Sequence, residues 1–115
     1  MLYFSMHTCP PCREFTPLLV ELYNEYNQSV TQFEVVFLSC DKTIENFNEY
    51  YSEMPWPSLP HNDARIKSIA KTFKIKGVPR LIVLNAKTGE VINDQAVEII
   101  TEQGPVIIDE WLEKA

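Results

Sequence analysis

The segment Cys9-Pro10-Pro11-Cys12 puts two thiols and two consecutive prolines between an apolar run, Leu2-Tyr3-Phe4, and a stretch with apolar residues at Phe15, Leu18, Leu19, Leu22, Tyr23 and Tyr26. The first run suits a buried strand, and the spacing of three and four in the second predicts a helix reaching about Asn27. Proline lacks an N–H and has a fixed φ, so it is accepted at the first helical position; Pro10 belongs there and Cys9 at the N-cap. Cys12 then lies one turn inside. The unpaired amides of the first turn and the positive end of the helix dipole favour a thiolate at Cys9 over a thiol. Cys9 therefore reads as the nucleophile. Cys12 reads as the resolving thiol, which attacks a mixed disulfide on Cys9 and expels the reduced partner. Pro10 and Pro11 withhold amide donors from the loop and stiffen it, which tunes how readily the disulfide opens.

Two cysteines three apart are also half of a zinc site, but a closed site needs four Cys or His ligands. The only other candidates are Cys40, His7 and His61, and His7 sits two residues from Cys9 on the same tight turn. No second paired motif exists, so no metal is expected. An inert buried pair is disfavoured by the helix N-terminus.

A chain of 115 residues fits a single domain, 1–115. Sixteen acidic against ten basic side chains, net −6, exclude the basic footprint that nucleic acid requires and disfavour an anionic membrane surface. No apolar run approaches the roughly 20 residues of a membrane span, and no basic segment with a cleavage site leads the chain. A cytoplasmic location is expected. Three cysteines are too few, and odd in number, for a disulfide scaffold. In a reducing compartment a CxxC pair beside a βαβ pattern reads as redox-active, with no cofactor. The chain starts almost inside its first strand, so the residues that would lead into that strand are expected to be missing.

Beyond the first helix, Pro17 interrupts the apolar stripe and must remove one backbone bond and bend the axis. The run from Phe33 to Ser39 predicts a strand covered on both faces, with Cys40 at its carboxyl end. Chemistry in open α/β sheets collects at such ends. Cys40 is accordingly either a thiol on the rim shared with Cys9 or a small buried residue. Asp41 or Thr43 caps a second helix carrying Ile44, Phe47, Tyr50, Tyr51 and Met54 on one face. Pro55, Pro57 and Pro60 make the next segment an ordered loop. Its Trp56 is either a plug over the core or an exposed platform beside the dithiol, and His61 reads as a surface residue. Asn62 or Asp63 caps a third helix with Ile66, Ile69, Ala70 and Phe73 inward. Leu81 to Leu84 forms a strand, Ala86 to Gly89 a turn, and Glu90 to Ile92 and Ala96 to Ile100 return as antiparallel strands. Gly104-Pro105 opens a last helix whose Ile107, Ile108, Trp111 and Leu112 share a face. The resulting order, β-α-β-α-α-β-β-α, predicts an α/β fold with a mixed sheet flanked by helices on both faces.

A dithiol at a strand-to-helix turn, a proline inside the following helix and Val78-Pro79 before a late strand resemble the thioredoxin superfamily. The tryparedoxin and nucleoredoxin branch is matched most closely, through Tyr3-Phe4-Ser5, Cys9 to Arg13, Phe15-Thr16-Pro17, Phe33 to Val36, Tyr50-Tyr51, Met54-Pro55-Trp56, Lys71-Thr72-Phe73 and Asn85 to Gly89. The resemblance implies a thioredoxin fold lacking its usual N-terminal hairpin. It implies that Cys9 attacks and Cys12 resolves, that Val78-Pro79 is a cis peptide facing the dithiol, and that the Val78 backbone pairs with an extended substrate. Thr8, Pro10 and Pro11 complete the substrate-contacting set. Thr8 stands where the family has tryptophan, and Arg80 where a small or hydroxyl residue is usual, either stabilising the thiolate or pointing to solvent. Tyr3 takes the place of a buried acid in thioredoxin proper, leaving water or an unassigned group to accept the Cys12 proton.

The implied activity is reduction of protein disulfides by a monomer. Its partners would be disulfide-containing proteins, peroxiredoxins among them, with a low-molecular-weight dithiol or a reductase as electron donor. Nucleoredoxin-like proteins add the nucleus as a second location. They also supply an alternative function, a redox-responsive binding module whose dithiol state gates a partner.

Overall fold

Period-two alternation in three strands sorts the apolar side chains to opposite sides of one sheet. The computed structural model describes all residues from Met1 to Ala115. In chain order the elements are β1 (Leu2–Ser5), α1 (Pro10–Tyr26), β2 (Val36–Ser39), α2 (Ile44–Tyr51), α3 (Ala64–Thr72), β3 (Arg80–Leu84), β4 (Val91–Asn93), α4 (Ala96–Gln103) and α5 (Val106–Lys114). The sheet order is β2-β1-β3-β4, with β1 parallel to β2 and antiparallel to β3, and β3 antiparallel to β4.

Tyr3, Phe37, Leu81 and Val83 point to one side, where they meet Phe15 and Leu19 of α1, Phe47 and Tyr50 of α2, Ala96 and Ile100 of α4, and Ile108 and Trp111 of α5. Phe4, Leu38 and Ile82 point to the other, against Ile66, Ile69 and Ala70 of α3. Helices therefore cover both faces, four on one and one on the other. Each fully buried Phe, Leu or Ile contributes roughly 1.5–3 kcal/mol of transfer free energy, so the strand alternation sets the layering.

Local signals position the ends. Thr43, not Asp41, caps α2, its hydroxyl accepting from the Asn46 N–H. Asp41 instead accepts from the His7 N–H at 2.7 Å and from the Ser39 hydroxyl at 2.8 Å, tying the loop after β2 to the turn after β1. Ile44 is 46% exposed, so the inner stripe of α2 begins at Phe47.

Asp63 caps α3 and pairs with Arg65 at 2.9 Å. The Arg65 guanidinium and amide hold its carboxyl at about 2, below the ordinary 3.8. A depressed carboxylate stabilises the fold fully above its unfolded value, and that contribution is lost as pH falls through the folded value. Asp63→Asn keeps the cap and removes the charge, so its unfolding midpoint in urea should fall less steeply than that of the wild type between pH 3.8 and about 2. The effect is small because the pair is on the surface.

The expected strand at Ala96 to Ile100 is the helix α4. Its Val, Ile and Thr content favours a strand locally, but Ala96 and Ile100, four apart, are buried against the sheet, and tertiary burial outweighs propensity. Gly104, at φ 77°, ends the helix and lets α5 fold back.

The outer edge of β2 is also occupied. The Phe37 N–H donates to the Pro57 carbonyl at 2.9 Å and the Leu59 N–H to the Phe37 carbonyl at 3.1 Å, so the proline-rich loop lies along the strand as a strap.

Candidate active site

Cys9 is the N-cap of α1, with φ −98° and ψ 113°, and Pro10 and Pro11 fill the first two helical positions. Neither proline has an N–H, so the first amide of the helix free to reach back is that of Cys12. It donates to Cys9 Sγ at 3.4 Å. Cys9 Sγ also lies 3.8 Å from the Val78 carbonyl, to which its thiol donates. The Val78-Pro79 peptide is cis, and the Val78 N–H has no partner within the chain. All three cysteines are free thiols.

The two site thiols differ in access. Cys9 keeps 8% of its surface and Cys12 none. Solvent therefore reaches Cys9 over a narrow face, beside the Val78 carbonyl. Burial, and then the hydrogen bond with Cys9, push the Cys12 thiol up to about 11, while the Ser5 hydroxyl and the Met6 backbone oppose the shift.

A groove of about 570 Å³ runs beside the pair, lined by Pro11, Glu14, Phe15 and Leu18 of α1, the Gly77 to Arg80 turn, and Val97, Glu98 and Thr101 of α4. Thr8 and Pro10 are exposed beside the cysteine. Arg80 donates to the Asp94 carbonyl at 2.8 Å, which directs its guanidinium along β3 toward the β4 end rather than onto Cys9.

The other expected participants lie elsewhere. Cys40 lines a separate crevice with Asp41, Asn62 and Asp63, and burial raises its thiol, assisted by the Asp41 charge. Trp56 is 1% exposed and packs edge-on to Tyr3 and Tyr23 at 6.1 and 5.5 Å, so it is the plug and not a platform. His61 bonds the Asp41 carbonyl at 3.0 Å through Nε2 and tilts on Phe47.

Sequence reasoning missed a cluster of buried hydroxyls behind Cys12. Thr16 Oγ1 is 2.6 Å from both Tyr3 Oη and Tyr50 Oη, and Tyr50 Oη is 2.6 Å from Ser5 Oγ. Tyr3 and Ser5 alternate onto one face of β1, and Thr16 sits four residues after Cys12 on α1. That spacing was the available signal.

A mixed sheet with helices on both faces and two thiols at the head of α1 define a dithiol protein of thioredoxin fold. The chain belongs to the thioredoxin-like family, whose model, described as "Thioredoxin-like", matches residues 1–91. It is 44% identical to a tryparedoxin of Trypanosoma brucei brucei over 83% of this chain and 66% of that protein. It is 46% identical to a probable nucleoredoxin 1 of Arabidopsis thaliana over 90% of this chain but only 18% of that protein. Against mouse nucleoredoxin the figures are 43%, 89% and 24%, so the chain spans a quarter or less of those relatives. A solved tryparedoxin from Trypanosoma brucei superimposes with a TM-score of 0.86 at 40% identity, covering 96% of this chain and 76% of that one. No helix is long and apolar enough to cross a membrane.

Proposed function

We propose that the chain reduces disulfides of other proteins, with Cys9 as attacking and Cys12 as resolving thiol. The observation that carries this reading is the Cys12 N–H aimed at Cys9 Sγ at the head of α1, on the one sulfur of the pair that solvent reaches. The Cys9 thiolate attacks a partner disulfide; an S–S bond forms to Cys9 and the partner's other sulfur leaves as a thiolate, which takes up a proton. Deprotonated Cys12 then attacks Cys9 Sγ. The Cys9–Cys12 bond forms, the mixed disulfide breaks, and the partner departs with both electrons. The unpaired Val78 N–H and the adjoining groove suit an extended segment of the partner lying against the cis turn.

A dithiol of low molecular weight or a reductase must return two electrons to the Cys9–Cys12 disulfide. A solved tryparedoxin II that resembles this chain is described as complexed with glutathionylspermidine, and a small thiol of that type is the donor we favour. Peroxiredoxins are the partners that the tryparedoxin likeness brings forward. The reading places the chain in a thiol-reducing compartment, the cytoplasm or nucleus.

The test is capture. Cys12→Ser incubated with a disulfide-bonded protein should accumulate a mixed disulfide on Cys9, visible on non-reducing gels and absent from the Cys9→Ser/Cys12→Ser double variant. Capture on Cys40 instead would overturn the assignment. The narrow exposure of Cys9 favours a second reading, a binding module gated by its redox state. It predicts slow turnover and a partner affinity that differs between dithiol and disulfide forms.

A further inference from the structure

We propose that the exposed lysines of α3 and its exit loop form a docking face for an acidic segment of the disulfide-bearing partner, and that this face decides which partners reach Cys9 fastest. This rests on the attacking role given to Cys9 above.

The net charge of −6 conceals a division along the chain. Residues 64–89 hold seven of the ten basic side chains and no Asp or Glu, whereas the rest of the chain holds three basic side chains and all sixteen acidic ones. On its face of the sheet α3 stands alone, so the positive segment is not interleaved with acidic helices. Ile66, Ile69 and Ala70 turn toward the sheet, which leaves Lys67 and Lys71, four apart, together on an outer flank. Lys67 lines the crevice that holds Ser39 and Cys40, so this flank looks to the carboxyl end of β2.

Lys74 and Lys76 carry the charge on through the exit loop to the cis turn. All four lysines are exposed and none is paired with a carboxylate. Asp41 and Asp63 share the crevice with Lys67, and Arg65 is paired with Asp63, so the uncompensated charge sits at Lys71, Lys74 and Lys76. Lys76 stands two residues before Val78, within about 7 Å of it along the backbone. The Val78 carbonyl is in turn 3.8 Å from Cys9 Sγ.

Beyond the cis turn the groove carries Glu14 and Glu98, both exposed, against the single cation Arg80. Charge therefore changes sign across the reacting sulfur, and an acidic segment of the partner settles toward α3 and away from α4. Fields of this kind act chiefly on the rate of encounter. A long polyanion would also meet the acidic remainder of the surface, whereas a short acidic segment meets the lysines alone.

The experiment times mixed-disulfide formation on Cys9 in Cys12→Ser, using one synthetic disulfide-looped peptide that bears a flexible tail of four glutamates or of four lysines. Were net charge in control, the lysine tail would react faster. The lysine face predicts the reverse, with the glutamate tail ahead by about tenfold at about 20 mM salt and by less than about twofold at about 0.5 M. Adding Lys74→Glu/Lys76→Glu should invert the order. Adding Lys87→Glu/Lys114→Glu, which changes the net charge equally, should preserve it. The uncharged disulfide of mercaptoethanol should react alike with all three proteins. Equal rates for the two tails, a faster lysine tail, or the same response in both double variants would overturn the docking face. So would self-association, or binding to DNA or anionic vesicles, that Lys74→Glu/Lys76→Glu abolishes while the peptide order stays intact. Absence of a Cys9 mixed disulfide with either peptide would remove the functional reading and the docking face with it, whereas its formation at equal rates removes the docking face alone.

Discussion

Cys9→Ser should lower turnover of insulin disulfides, with dithiothreitol as electron source, by on the order of a thousandfold or more. Oxygen cannot replace sulfur as the exchanging atom, because a serine hydroxyl is hardly ionised at neutral pH and forms no disulfide. Serine is nonetheless a good N-cap, and its oxygen can accept the Cys12 N–H that Sγ accepts now. The loss should therefore appear with the urea midpoint nearly unchanged, which separates chemistry from folding. Turnover equal to the wild type would show that another thiol attacks, and Cys40 would be the one left to examine.

Trp56→Ala should cost about 3–5 kcal/mol of stability, a large share of what a domain of this size possesses. The indole is 1% exposed and touches Tyr3 and Tyr23 edge-on, so truncation opens a cavity between β1, α1 and the loop before α3. Trp56→Phe should cost less than about 2 kcal/mol, since Nε1 is buried with no hydrogen-bond partner and its removal relieves an unpaired donor. The backbone anchor survives in both variants, because Tyr51 Oη donates to the Trp56 carbonyl at 2.7 Å. Urea unfolding of the two variants checks the order. An alanine variant as stable as the phenylalanine one would mean that the pocket collapses around the missing ring.

What the sequence revealed about this molecule was local. The N-cap at Cys9, the proline start and the end of α1 at Tyr26 all follow from residues within a few positions of one another. So do the apolar faces of α3 and α5, while the choice of Asp63 over Asn62 as the cap of α3 comes from the structure. What escaped was set by distant neighbours. α4 reads as a strand until β3 is known to lie beneath Ala96 and Ile100. The hydroxyl cluster joins residues 34 and 45 positions apart, and no periodicity links Tyr50 to Thr16 and Ser5. Trp56 had two readings because a tryptophan among prolines fits a plug and a platform equally well; burial by Tyr3 and Tyr23 decides it.

The strap along β2 bears on how the molecule keeps company with its copies. An open strand margin is a place where a second chain can begin to add, rung upon rung, toward a fibre. Here Phe37, in the middle of that row, is answered from within by Pro57 and Leu59, and the covering segment is flanked by Pro55 and Pro60, which have no amide to offer a newcomer. A copy approaching this side finds Phe37 already engaged, which removes the central rung of the row it would have to extend.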